Sequence, residues 1–386
     1  MAMKPLTIQK AVLLTICLVL FSVSTIATKK AASKPMQPVF IFGDSTVDVG
    51  TNNHLKNCTA RANHPYYGID YLQSKPTGRF SNGQNAADTI VTLLGGYKHS
   101  PPPFLALLKN SSNFTGKILH GVNFASGGCG LDKETGKDPY GVVVSLEEQI
   151  QQFATIKGNM TAILGESNGQ LLLQGSMYIM SIGSNDIMSY IFTHPVTPEL
   201  FIANLTATYA IHLKNLYSLG ARKFGVISVP PIGCCPIARS FSPVGDCAKE
   251  PNDLAIAFYT PLESLLKNLS STLEGFKYSL GNAYNMTMNI IEKPIAYFSS
   301  KTSFSPLFFL HLSPPHQMTK PLPRLPVTSH HIIRYSTTPK ITTTIFVGDK
   351  LPDRWLFQGG VNVDTYESWN VISVEAASIF FSGNQW

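Results

Sequence analysis

Short, mostly apolar runs alternate along this chain with longer amphipathic ones. Residues 39–42, 122–125, 177–182 and 224–229 have strand length, and each runs into glycine, proline or a turn dipeptide. Residues 85–94, 146–163, 197–217 and 252–273 instead carry apolar residues at helical spacing. Ala86, Ile90, Val91 and Leu94 share one face of the first, which Gly95-Gly96 ends. The third opens with Thr197 as a hydroxyl cap and Pro198 at its first position, and its stripe is Leu205, Tyr209, Leu213, Leu216 and Tyr217. Pro261 predicts a kink in the last. Strands alternating with helices predict an α/β fold: a parallel sheet, right-handed crossovers and helices on both faces. The pattern fails near Phe298. Residues 299–344 are rich in Ser, Thr, Pro and His and read as irregular, and patterning returns only at 374–383.

The remaining composition narrows the class. The chain has 386 residues, enough for a sizeable core, and a net charge of +7. Its basic residues are scattered, so no nucleic-acid footprint emerges. Lys4 and Lys10 precede the apolar stretch 11–23, and Thr25-Ile26-Ala27 offers small residues where a signal peptidase reads. Residues 1–27 are therefore expected to be a signal peptide, too short in its apolar part for a stable membrane anchor, and the protein to be secreted and extracellular. Asn57, Asn110, Asn113, Asn159, Asn204, Asn268 and Asn285 each head an Asn-x-Ser/Thr triplet, which predicts N-glycans. Beyond Cys17, the cysteines are Cys58, Cys129, Cys234, Cys235 and Cys247, an odd set that leaves one thiol over. No zinc-type spacing of Cys and His is present, and neither a metal nor a cofactor is expected.

Three strand ends carry residues suited to acyl transfer. Gly43-Asp44-Ser45 follows the first run, Ser126-Gly127-Gly128 the second, and Gly183-Ser184-Asn185 the third. In a parallel sheet these ends share one edge, so the residues can converge. A serine hydroxyl can attack an ester carbonyl. The backbone N–H groups of Ser45 and Gly128 and the amide of Asn185 can receive an oxyanion. Alone, the Asp-Ser piece is equally well an ordinary turn, and the Gly-Gly and Gly-Ser-Asn pieces are most often just turns.

Taken in order, FGDSTVDVGTNN at 42–53, PTGRFSNG at 76–83, GVNFASGGCG at 121–130, IGSND at 182–186 and VPPIGCC at 229–235 resemble the plant GDSL esterase/lipases of the SGNH hydrolase superfamily. The resemblance covers about residues 36–297. It implies a flavodoxin-like three-layer α/β/α sandwich and a secreted serine hydrolase of carboxylic esters, acting on small ester or lipid substrates. It further implies Ser45 as nucleophile and Ser45, Gly128 and Asn185 as oxyanion-hole donors.

The family's closing block, Asp-x-x-His-Pro, supplies the general base and the Asp that orients it. No Asp-x-x-His occurs anywhere in this chain. Residues 369–383 look like a damaged copy of that region, and 298–386 is read as an aberrant segment from a frameshift or retained intron. His311, His316, His330 and His331 are candidate bases only by residue type. The alternative is a catalytically impaired member that binds an ester or glycan in the old cleft. A structural glycoprotein is disfavoured by the ordered blocks. Gly165-Glu166-Ser167-Asn168-Gly169 fits the G-x-S-x-G pattern, but no strand precedes it, and it is expected to be a loop. His194 and His212 fall in helical regions and are expected to serve surface or packing roles.

Overall fold

The computed structural model describes residues 37–65, 67–109, 113–293, 332–337 and 341–346. The predicted signal peptide and the proposed terminal helix lie outside the described residues.

Five strands form one parallel sheet: β1 (Val39–Gly43), β2 (Gly121–Asn123), β3 (Met177–Ser181), β4 (Lys223–Ile227) and β5 (Lys277–Gly281), in the order β2-β1-β3-β4-β5. The helices are, in chain order, α1 (Ala86–Leu94), α2 (Phe104–Lys109), α3 (Phe114–Ile118), α4 (Lys137–Tyr140), α5 (Leu146–Leu164), α6 (Glu166–Gly175), α7 (Ser184–Thr193), α8 (Pro198–Ser218), α9 (Pro236–Ser240), α10 (Lys249–Thr272) and α11 (Ala283–Glu292).

The side chains of β1 show why the sheet is buried on both faces. Phe40 and Phe42 point into a large core with Phe153 of α5, Tyr209 of α8 and Phe258 of α10. Val39 and Ile41 point the other way, against Ala87, Ile90 and Val91 of α1. Alternate residues of a strand face opposite sides, so an unbroken apolar run needs a helical layer on each. The result is the expected α/β/α sandwich. Aromatic rings stitch its larger side, with Phe40–Phe153 and Phe42–Phe124 centroids both 5.0 Å apart.

The helix ends follow local chemistry. Asn85 caps α1 and Ser145 caps α5, each in a reciprocal capping box with an acidic residue three positions on, Asp88 and Glu148. Thr197 caps α8 with Pro198 at its start. α10 runs through Pro261.

Several expectations need correction. Residues 166–169 are not a loop but the first turn of α6, and helices lie on both sides of Gly165. The Glu-Ser-Asn-Gly composition hid a helix whose start the preceding glycine marks. Strand β5 and helix α11 were not anticipated, because β5 is a half-exposed edge with little apolar signal. Part of the segment read as irregular forms an antiparallel pair, β6 (Ile332–Thr337) and β7 (Ile341–Phe346). Its β-branched and aromatic residues favour extended backbone. One disulfide, Cys234–Cys247, is present among the described residues, and both Cys58 and Cys129 are thiols rather than one thiol left over.

Candidate active site

Strand β1 lies between β2 and β3, and the order of the sheet reverses there. The crevice beyond the carboxyl ends of such strands is where open α/β sheets hold ligands. Ser45 lies two residues past β1, and Asn185 four past β3. Gly128 follows the β2 end, whose extension is bonded to β1 through Ser126 N to Gly43 O at 3.0 Å. The three predicted residues therefore gather at one switch point.

The turn presenting Ser45 is held from several sides. Gly43 has φ 147°, and a Cβ on it would lie 2.1 Å from the Ser181 carbonyl oxygen. Its N–H donates to Gln149 Oε1 at 2.9 Å, and its carbonyl accepts from Gln149 Nε2 at 3.0 Å. The next N–H, of Asp44, donates to Ser181 O at 3.1 Å. Ser45 itself is 8% exposed, and neither its hydroxyl nor its N–H has a hydrogen-bond partner among the described residues.

A buried polar network fixes the second wall. Asp48 accepts from the N–H groups of Gly50 (2.7 Å) and Thr51 (2.8 Å), and with its other oxygen from Gly127 N (2.9 Å). Asn52 donates to Gly127 O at 2.8 Å and accepts from the Ser126 hydroxyl at 2.6 Å. Both carbonyl and amide of Gly127 are thus committed, while the N–H of Gly128 has no acceptor among the described residues. Gly128 has φ 88°, and a Cβ there would strike the Tyr140 ring at 2.5 Å.

The third wall is the start of α7. Asn185 Nδ2 donates to Cys129 O at 2.8 Å, which leaves its second proton uncommitted. Asp186 accepts from Leu131 N (2.8 Å), Asp132 N (3.0 Å) and the Thr135 hydroxyl (2.9 Å), locking the loop that follows Gly128. The three turns thus bring uncommitted N–H donors and the unbonded Ser45 hydroxyl to the same sheet edge.

Burial governs the ionisable groups. It pushes the carboxyls of Asp44, Asp48 and Asp186 up to about 6, against opposition from the hydrogen bonds they accept. It also raises the Cys129 thiol well above its ordinary range, so this buried residue is a poor rival nucleophile.

No histidine hydrogen-bonds Ser45 among the described residues. His194 caps α7 and pairs with Glu250 at 2.6 Å, and residues 185–194 span about 13 Å of helical rise, which carries it away from Asn185. His212 is buried with Nε2 on Leu131 O at 3.1 Å, as a packing residue would be. The candidates His311, His316, His330 and His331 lie outside the described residues. Among those described, no cluster of three His, Cys, Asp or Glu could hold a metal ion.

The sequence did not single out Gln149 or Asp186 as supports. Gln149 was findable, since it is a polar residue inside the apolar stripe of α5 formed by Leu146, Ile150 and Phe153.

The profile of the GDSL-like Lipase/Acylhydrolase family matches residues 39–299, and so spans every strand of the parallel sheet. The chain belongs to this family. Among the relatives, GDSL esterase/lipase At4g16230 of Arabidopsis thaliana is 35% identical, over 69% of this chain and 73% of its own length. GDSL esterase/lipase At5g37690 of the same plant is 36% identical, over 71% and 77%. A third, GDSL esterase/lipase At2g42990, is 34% identical over 73% and 79%. By family resemblance the GDSL protein described here is a hydrolase acting on ester bonds.

Proposed function

We propose that this GDSL protein is a secreted serine hydrolase of carboxylic esters. Ser45 Oγ attacks the ester carbonyl carbon, forming a tetrahedral intermediate. Its oxyanion is received by the N–H groups of Ser45 and Gly128 and by the free amide proton of Asn185. The observation that carries this reading is that, at the switch point, the N–H groups of Ser45 and Gly128 have no acceptor among the described residues and Asn185 commits only one of its two amide protons, to Cys129 O. Buried donors with no partner are costly unless a ligand satisfies them.

Collapse of the intermediate expels the alcohol and leaves an acyl-serine, which water then hydrolyses. The Ser45 proton needs an acceptor and the leaving alkoxide a donor. A histidine with an orienting carboxylate does both in Ser-His-Asp systems. Without it the loss reaches about 10⁶, with about 10³–10⁴ over water remaining from binding and the oxyanion hole.

The absence of Asp-x-x-His from the sequence favours a second reading, in which the chain holds an ester or glycan in this cleft with little turnover. Hydrolysis of p-nitrophenyl acetate and butyrate by the purified chain, beside Ser45→Ala, separates the two. Turnover that disappears in Ser45→Ala supports the hydrolase. Equal background rates in both sink it and leave the binding protein.

Residues 36–297 are proposed as the hydrolase domain, and 298–386 as the aberrant segment. Secretion is supported by the N-terminal pattern and by the exposure of Asn57, Asn113, Asn204, Asn268 and Asn285, all accessible to glycans. Among the described residues no helix is long and apolar enough to cross a membrane.

A further inference from the structure

The buried stripe of α5 is apolar at Leu146, Ile150, Phe153, Ile156 and Met160, yet it includes a fully buried amide, Gln149. Apolar neighbours of this kind dock a helix without help, and a buried amide costs free energy unless its bonds are made. Those of Gln149 are made with two different turns. Its Oε1 accepts from Gly43 N at 2.9 Å. Its Nε2 lies 3.0 Å from Gly43 O, 3.0 Å from Val144 O and 3.2 Å from Cys129 Sγ, three acceptors for two protons. Gly43 stands two residues before Ser45, and Cys129 directly follows Gly128.

The place of this amide in the sheet gives it a role. In a parallel ladder a residue donates to, and accepts from, the two neighbours of the residue opposite it. β1 and β2 keep this pattern at Ile41 and Asn123, where Phe124 N donates to Ile41 O at 2.8 Å. Continued by one step, Gly43 N would donate to Phe124 O, and Ser126 N to Gly43 O. Among the described residues only the second bond is made, at 3.0 Å. Gly43 N turns instead to Gln149 Oε1, and Ala125 N to Asn123 Oδ1 at 2.9 Å. Gln149 therefore replaces a ladder partner at the point where the chain leaving β2 parts from β1. Beyond that point one chain carries Ser45 and the other Gly128.

We infer that Gln149 is a positioning residue. Its amide, inserted where the two chains part, sets the spacing between Ser45 and the Gly128 N–H. The use of that spacing on an ester carbonyl rests on the reading of Ser45, Gly128 and Asn185 as an ester site.

Two measurements on the full chain keep the positioning apart from that reading. The first is NMR of the Ser45 and Gly128 amides in serine- and glycine-labelled protein, since neither amide bonds to Gln149. Gln149→Met is expected to shift both resonances. Asn252→Leu, which takes a buried amide away from Gly233 N at the β4 end, is expected to shift neither. The second is the affinity of phenylboronic acid, which needs no turnover. Its boron forms a bond with Ser45 Oγ, the hydroxyl proton passes to water, and a boronate oxygen takes the oxyanion position. Gln149→Met is expected to bind it about tenfold more weakly, the worth of one hydrogen bond, and Asn252→Leu as the unaltered protein does. Circular dichroism checks each fold. Where Gln149→Met is unfolded, Gln149→Glu replaces it, because it keeps an acceptor for Gly43 N and loses the donor to Gly43 O. Unmoved Ser45 and Gly128 resonances overturn the positioning role, and so does a Ser45-dependent affinity left unchanged by the Gln149 variant or lowered equally by Asn252→Leu. If the resonances move but the unaltered chain binds the boronate no better than Ser45→Ala, the ester reading falls and the positioning role stands.

Discussion

The carboxyl ends of β1, β2 and β3 and those of β4 and β5 lie along one edge of the same sheet, yet they are built differently. At the first three, buried polar side chains bond to each other and to backbone. Asp48, Asn52, Ser126, Gln149 and Asp186 are all at most 4% exposed, and together they hold the turns carrying Ser45, Gly128 and Asn185. At the last two such ties are fewer: Asn252 accepts from Gly233 N at 2.8 Å, and other polar groups serve helix starts and a clamp. Ser228 Oγ accepts from Ala283 N at 3.0 Å, Asn282 caps α11, and Cys234–Cys247 closes the loop before α10. The first half is over-determined because it must keep donors unpaired inside a buried wall. Such donors cost free energy, so their neighbours must be fixed by more bonds than folding alone requires. The second half carries a lighter burden.

Substitutions should reproduce that contrast. The largest effect is expected at Arg79, whose guanidinium makes two bonds to Asp88, 2.7 and 2.8 Å, with both side chains at most 8% exposed. Asp88 also serves the capping box of α1, and the Arg79 charge beside it draws its carboxyl below the usual range. Arg79→Met leaves Asp88 buried without its cation, and about 3–5 kcal/mol of stability should be lost. A urea unfolding midpoint checks this, and a midpoint within error of the unaltered protein would break the comparison.

An intermediate effect is expected from pH. Asp44, Asp48 and Asp186 titrate near 6 when folded, against 3.8 as the ordinary value. Between these values the folded state binds more protons than the unfolded. The stability from these groups is therefore fully present below pH 3.8 and is lost as pH rises through 6. Asp88, shifted downward, acts in the opposite sense and only in more acidic solution. The melting temperature should fall from pH 4.5 to 6.5, and Asp44→Asn should make that fall shallower. Asp44 is the sharper choice because its Oδ2 is buried without a partner among the described residues. An unchanged slope in Asp44→Asn would show that its proton is already lost at low pH.

The smallest effect belongs to the other half. Asn282→Ala removes the cap that accepts from Asn285 N at 2.9 Å, at a cost of about 1 kcal/mol. Thermal melts should place it well above Arg79→Met. A loss as large as that of Arg79→Met would mean that the β5 end is as tightly built as the β1 end.

Much of this was legible in the sequence where local chemistry and packing agree. β1 and β3 are buried at every position and apolar through Phe42 and Met180 because both faces are covered, and Thr197-Pro198 announces α8. The ordered blocks made Ser45, Gly128 and Asn185 candidates before any coordinates. β5, with Lys277 and Tyr278 partly in solvent, lacks that signal because an edge strand need not be apolar throughout. Gln149 is marked locally only as a polar residue in an apolar stripe; that its partner is Gly43, more than a hundred residues away, is not readable from its own neighbourhood.

The sequence by itself determined most of the alternation of strands and helices, the helix caps and the set of candidate residues proposed for ester chemistry. Each depends on periodicity and on groups within a few residues. It also determined that no Asp-x-x-His is present. Only the tertiary structure decided that β1 lies between β2 and β3, and so which strand ends meet. It alone decided which N–H groups remain without acceptors. Those outcomes depend on contacts between segments far apart in the chain, which no local pattern records.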